Sequence, residues 1–209
     1  MSIFDLEQRA YREDSSYTEQ GIVPFYDPET DTFRFVVTAI DNETESDTPE
    51  HRLVSLPTSG ESETILSFST SPAESISRGR VTEDSVILLT LEYGADGQVW
   101  SLVLTNTASG ETRRADGIQT FLANPYVMPM DVIAGADSFA VVTQTEAAVF
   151  DGDLRYQFSV SSDETVTRAA ADENGEIWLC LRNVVGETRA ARIDNNAKAL
   201  TDSVALSHS

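Results

Sequence analysis

The side chains that most often carry out chemistry are scarce in this chain. Among its 209 residues there are two histidines, His51 and His208, and one cysteine, Cys180. Neither histidine stands in a nucleophile setting, and no G-x-S-x-G elbow, phosphate-binding P-loop, H-E-x-x-H or C-x-x-C occurs. His51 is therefore read as an exposed polar residue. A single thiol can neither close an internal disulfide nor build a multi-cysteine metal site. Carboxylates number 35, so a pair of them carries little weight by itself. Asp27-Pro28-Glu29-Thr30-Asp31 begins as a calcium loop does, with oxygen side chains at alternate positions. It lacks the glycine at the sixth position and the glutamate at the twelfth that such a loop needs, so a proline-preset turn explains it better. Asp151-Gly152-Asp153 and Asp172-Glu173-Asn174-Gly175 read as hairpin turns in the same way. The expectation is a chain with no catalytic residue, no metal ligand and no cofactor.

Binding is better represented. In NPYVMPMD, from Asn124 to Asp131, Tyr126, Met128 and Met130 are spaced by two, which in a strand puts them on one face. Pro125 and Pro129 restrict hydrogen bonding there, as suits a strand end or an edge. Core packing is the plain reading; the alternative brings Tyr126 and Met128 to the mouth of a central channel, against a ligand or partner. Arg80 and Asp131, each near the end of a candidate strand, complete the set of candidate binding residues. The Arg78/Arg80 and Arg113/Arg114 pairs are expected to meet acidic neighbours.

Fourteen basic residues against 35 acidic ones give a net charge of -21, and Lys198 is the sole lysine. Such a chain repels phosphate backbones and anionic headgroups, so neither nucleic acid nor a membrane surface is an expected partner. No apolar run approaches the ~18 residues of a membrane helix. The first residues, MSIFDLEQRAYRED, have neither the basic start nor the apolar core of a signal peptide, which leaves a cytoplasmic location open.

The elements that would position these residues are short. Four similar runs, TFRFVVTAI, SVILLTLEY, SFAVVTQTE and EIWLCLRN, have their first apolar residues at Phe33, Val86, Phe139 and Ile177. Each is followed by a second run that closes on a turn residue: Gly60, Gly110, Gly152 and Asn195. Both markers recur at roughly forty to fifty residues, and two further runs complete each interval, which is the period of four-stranded β-propeller blades. The expected fold is all-β, with about four antiparallel blades over approximately residues 21–71, 74–121, 125–162 and 164–207. Residues 1–20 form an N-terminal strand or extension, and residues 41–50 an acidic insert. The four blades either close on themselves or belong to a larger ring. In the closed case residues 3–12 or the C-terminal strand complete the last sheet. In an open arc, exposed blade edges invite self-association. A blade between two neighbours needs apolar groups on both faces. Ile177, Leu179 and Leu181 supply one face; Trp178, Cys180 and Arg182 fall on the other, with Cys180 a small buried hydrophobe.

GADGQVWSLVLTNTASGE, and ADENGEIWLCLRN followed by ETRAARIDNN, resemble the propeller repeats of bacterial extracytoplasmic proteins. They are similar in particular to propeller regions of clostridial surface lipoproteins, sometimes adjacent to a solute-binding domain. The resemblance implies an extracellular or cell-surface module without enzymatic activity, recognising a protein, a small molecule or a glycan. The alternatives are a propeller-type glycan lyase or hydrolase using channel-facing carboxylates, and a structural spacer beside a transport or signalling domain.

Overall fold

Runs rich in Val, Ile, Leu, Phe and Thr, each ended by a turn, fit a pleated half-buried surface and are too short for helices. The computed structural model describes residues 2–5, 10–13, 17–18, 21–39, 48–95 and 97–206, so His208 and most of the acidic insert lie outside the described residues. The chain divides into two compact units, residues 1–98 with 103–112, and residues 99–102 with 113–209.

At the start, β1 (Ser2–Asp5) and β2 (Ala10–Glu13) pair with each other. The first large sheet joins β3 (Tyr17–Thr18), β5 (Phe25–Asp27), β6 (Thr32–Ala39), β7 (Glu50–Pro57) and β8 (Glu63–Ser69), with β3 and β5 both beside β6. The intervening β4 (Ile22–Val23) leaves at Pro24 and pairs in parallel with β9 (Glu74–Val81) of the next sheet. That sheet runs on through β10 (Ser85–Gly94), β11 (Gly97–Asn106) and β12 (Thr112–Asp116). A 3-10 turn at Ile118–Phe121 follows.

The second unit holds two antiparallel sheets whose strands are in sequence order. One is β13 (Asp131–Ala134), β14 (Ser138–Val142), β15 (Glu146–Asp151) and β16 (Tyr156–Ser161); the other is β17 (Thr165–Ala171), β18 (Ile177–Arg182), β19 (Thr188–Asp194) and β20 (Ala199–Leu206). The four runs picked out in the sequence are β6, β10, β14 and β18, and the C-terminal strand completes the last sheet. The fold is all-β, built from successive sheets of four or five strands, antiparallel but for the β4–β9 pair, of the propeller type.

In the second unit, Ile133, Ala140, Val149 and Phe158 of one sheet meet Val166, Leu179, Leu181 and Ile193 of the other in a continuous core. In the first, Val36 and Leu53 pack against Val81, Val86 and Leu88. Each Val, Leu, Ile or Phe among them, fully buried, contributes about 1.5–3 kcal/mol. β14 is buried on both faces and β15 nearly so, whereas β18 alternates. Ile177, Leu179 and Leu181 are buried as expected, but Trp178 and Cys180 are only half-buried and Arg182 is exposed. The expectation of two dry faces therefore fails at the last sheet, and Cys180 is not a core residue. The Trp178 indole instead donates to the Asp172 carboxylate at 3.0 Å.

The hairpin turns follow two rules. Asp151, Asp172 and Asn183 each accept, on Oδ1, the N–H groups two and four residues on. The left-handed residue is then the third after the acceptor: Leu154 (φ 61°), Gly175 (φ 72°) and Gly186 (φ 90°). Asp27, Asn106 and Asp194 accept from the second and third residues instead, and the left-handed residue is the fourth: Asp31 (φ 50°), Gly110 (φ 71°) and Lys198 (φ 51°). So the Asp27 segment is a turn, and Leu154 and Lys198, not Gly152 and Asn195, absorb the strained conformation. The N–H donated by Glu176 holds the Asp172 carboxyl below the usual range, and that of Ala197 does the same for Asp194. Gly175 has a second duty. Its carbonyl accepts the Ala136 N–H at 2.9 Å, and a Cβ at residue 175 would lie 2.4 Å from that nitrogen.

His51 is buried, at 2% exposure, contrary to the reading of it as a surface residue. Its Nδ1 lies 2.8 Å from Thr38 Oγ1 and its Nε2 3.0 Å from Thr70 Oγ1. Either hydroxyl can donate or accept, so a neutral imidazole is satisfied in both tautomers, while burial lowers its pKa to about 4.

Gly175→Ala is expected to cost about 2–4 kcal/mol in urea unfolding, through the clash and the left-handed φ, whereas Lys198→Gly, at an exposed left-handed site, should add about 0.5–1 kcal/mol. Equal effects of the two substitutions would remove the argument. For His51 the folded-state pKa lies below the unfolded one, so its neutral form is favoured by folding above pH ~6.5 and that advantage disappears as pH falls towards 4. The wild type should lose about 3 kcal/mol over this window that His51→Gln does not lose. An NMR titration of the imidazole with a midpoint near 6.5 would contradict it.

Candidate recognition site

In the second unit β13, β15, β17 and β19 begin at the same end at which β14, β16, β18 and β20 finish. The crossings 143–145 and 162–164, the turn 183–187 and the segment 122–130 therefore converge there. So do the unit's exposed large apolar side chains: Tyr126 (92% exposed), Met128, Val184 (101%), Val185, Val204 and Leu206, with only Tyr156 at the opposite end.

Segment 122–130 belongs to no strand, yet it is firmly held. Upstream, Phe121 stacks on Tyr156 at 4.5 Å and meets Phe150 edge-on at 5.8 Å, and its carbonyl accepts the Ser159 hydroxyl at 2.9 Å. Leu122 is buried. The central anchor is Glu146, 3% exposed, whose carboxylate accepts the Ala123 N–H at 2.8 Å and, less closely, the Asn124 N–H at 3.4 Å. A charge this deep is tolerable because donors solvate it in place of water. Asn124 Oδ1 then accepts the Tyr126 N–H at 3.1 Å, and the Met130 N–H rejoins the sheet at Val142 O, 2.7 Å away.

Glu146 is itself set by the turn Thr143-Gln144-Thr145-Glu146, in which Thr143 Oγ1 accepts the Glu146 N–H at 3.2 Å. The same turn receives the next sheet: Thr145 O accepts the Ser162 N–H at 2.9 Å and Gln144 O the Val166 N–H at 2.7 Å. Between these anchors lies a cleft of about 460 Å³ lined by Asn124, Thr145, Glu146, Ser161, Ser162 and Asp163 with the Ala123 backbone. Its floor is polar, and the loop that carries Tyr126 and Met128 forms one wall.

Of the residues singled out in the sequence, Tyr126 and Met128 are at this end and point to solvent, and Asp131 opens β13, half-buried, accepting the Val132 N–H at 2.8 Å. The shared strand face expected of Tyr126, Met128 and Met130 does not form. Pro125 and Pro129 keep the segment out of the sheet until Asp131, and Met130 alone packs against the core. Arg80 is in β9 of the first unit, opposite Ile87 of β10 and Val23 of β4. Sequence reasoning missed Glu146, whose signal was the Thr-x-x-Glu turn, and Val184 and Val185, two apolar residues at the tip of an Asn-headed turn. Among the described residues no group of three or more His, Cys, Asp or Glu side chains is placed to hold a metal, and no helix is long and apolar enough to cross a membrane.

No protein-family model matches the sequence, and no curated protein matches it. Among solved structures the chain is similar to a protein of unknown function from Bacteroides caccae, with a TM-score of 0.52 and 9% identity over 97% of this chain and 68% of that one. It also aligns with BBS1N in complex with ARL6DN (TM-score 0.48, 13% identity, 84% of this chain), spanning 52% of the BBS1N chain. A third alignment is with apo AztD from Citrobacter koseri (TM-score 0.46, 8% identity, 88% of this chain and 73% of that one). At such identities the likeness is one of fold.

Glu146→Ala removes the acceptor for two backbone donors, and should cost about 2–3 kcal/mol and speed amide exchange at Ala123 and Asn124. Unchanged exchange at those two amides would show that the carboxylate does not hold the loop.

Proposed function

We propose that this chain is a recognition module without enzymatic activity, and that it binds its partner at the loop end of the second unit. One observation carries the reading: exposed apolar side chains gather at that end, Tyr126 and Met128 on a loop braced by a buried carboxylate beside a polar cleft. Water gains nothing from Tyr126, Met128, Val184 and Val185, but a partner that covers them does. The loop and the turn are already held by Glu146 and Asn183, so less ordering free energy is lost on binding.

The carboxylates support binding over catalysis. Glu146 is occupied by two backbone donors. On the first strands of the sheets, Glu74 accepts from the Ser71 N–H and the Thr90 hydroxyl, and Asp131 from the Val132 N–H. A glycan lyase or hydrolase needs a positioned acid and base, and these groups are engaged elsewhere. The extracellular or cell-surface location, and the kinship with bacterial surface lipoproteins that the turn grammar suggests, form part of this proposal.

The test is a screen of the purified chain against glycan and peptide arrays, repeated with Tyr126→Ala/Met128→Ser. A ligand retained by the wild type and lost by the variant, at unchanged melting temperature, is the expected result. Binding that survives the double substitution, or none in either array, would contradict the proposal.

A further inference from the structure

We infer that the ligand of this end is a polypeptide segment carrying both aliphatic and cationic side chains; the inference rests on the recognition reading above and narrows it. The first ground is the kind of apolar surface. Among the described residues Tyr126 is the one exposed aromatic ring at this end, and the same end carries the aliphatic Met128, Val184, Val185, Val204 and Leu206. A sugar is held by flat aromatic faces and by planar hydrogen-bonding side chains around its hydroxyls. Valines at the tip of a turn offer neither, but they fit Leu, Val or Ile side chains of another chain.

The second ground is that these residues are dispersed. Tyr126 and Met128 belong to the loop before β13, while Val184 and Val185 sit three connections further along the chain at this end, on the β18–β19 turn. The turn Asn183–Glu187 is held by Asn183 Oδ1, which accepts the Val185 and Glu187 N–H groups at 3.1 and 2.9 Å, so the two valines are fixed in solvent. A segment lying along the end can reach both places, with the cleft on its path; a small molecule seated in the cleft cannot.

The third ground is charge. The chain carries a net charge of -21, which draws cationic segments towards it and repels acidic ones. Within the cleft Asp163 is exposed and has no partner among the described residues. Around it, Glu164 is paired with Arg189 at 2.7 Å and Glu187 accepts from Asn183 Nδ2 at 2.8 Å. Arg182 extends over Gly186 on the β18–β19 turn, so a cation stands on that side of the end and the carboxylate of Asp163 lies in the cleft. A Lys or Arg of the partner belongs at Asp163, with its apolar neighbours against Tyr126 and the valines.

The probes are three synthetic peptides of equal length, alternating Leu with Lys, with Ser or with Glu, measured by fluorescence anisotropy. The Leu/Lys peptide should bind about tenfold more tightly than the Leu/Ser one, and the Leu/Glu peptide least. Val184→Ser/Val185→Ser and Tyr126→Ala should each weaken the Leu/Lys peptide about tenfold, Asp163→Asn several-fold, and Tyr93→Ala, at an exposed site of the other unit, not at all. If the Leu/Lys peptide binds all variants equally, its attraction is to net charge alone and the inference falls. No preference for Leu/Lys over Leu/Ser also overturns it. A glycan whose binding is lost with Tyr126→Ala would overturn it while leaving the recognition reading intact. Finding no ligand, peptide or glycan, whose binding depends on Tyr126 would remove both.

Discussion

A strand buried on both faces has no water to satisfy its backbone, so every N–H and C=O must find a partner in the sheet or in the turns that end it. That constraint governs β10, β14 and β15, whose residues are almost all buried. It explains why so many hairpins begin with Asp or Asn. The side-chain oxygen takes the N–H groups that the tight reversal leaves over, and one residue accepts a left-handed φ so that the chain can turn back. Where the demand is greatest, beside the dry start of β15, a full carboxylate is used. Glu146 is buried because two backbone donors of the neighbouring segment replace its water, and that exchange holds a strandless loop in place.

The division between what was legible and what was not follows the same physics. Strand runs such as SVILLTLEY and SFAVVTQTE are marked by local composition and by the turns that bound them, so the four central runs, their order and their mainly antiparallel sheets could be read from one chain, while the short strands β3 and β4 that add to the first two sheets could not. The Asp27 turn was legible for the same reason. Three features were not. His51 has a polar side chain next to an acidic stretch, and its burial depends on Thr38 and Thr70, 13 and 19 residues away, which nothing local announces. Segment 125–130 alternates as a strand does, but its two prolines outweigh the alternation. The half-wet face of β18 depends on whether another sheet covers it, a property of the assembly and not of the run.

For the proposed site, the sequence drew attention to this loop through Tyr126 and Met128, but for a different reason. Their spacing suggested a common strand face; in fact they are exposed because the strand has not yet started. Glu146 and the two valines of the β18–β19 turn became visible only when the alternation of strand directions gathered separate connections at one end. Arg80 illustrates the converse. A cationic residue near a strand end is a reasonable candidate in one dimension, and it belongs to the other unit.

The central claim is that segment 122–130 is a fixed loop that shows Tyr126 and Met128 to solvent and turns Met130 inward. Pulsed oxidation of the free protein, read by mass spectrometry, tests it within a single peptide that contains both methionines. Met128 should be converted to the sulfoxide much faster than Met130, with the Tyr126 ring modified as readily as that of a free peptide. Equal protection of Met128 and Met130 would mean that the segment lies in the sheet with its alternate side chains in the core, and the account of this end as a recognition surface would be contradicted.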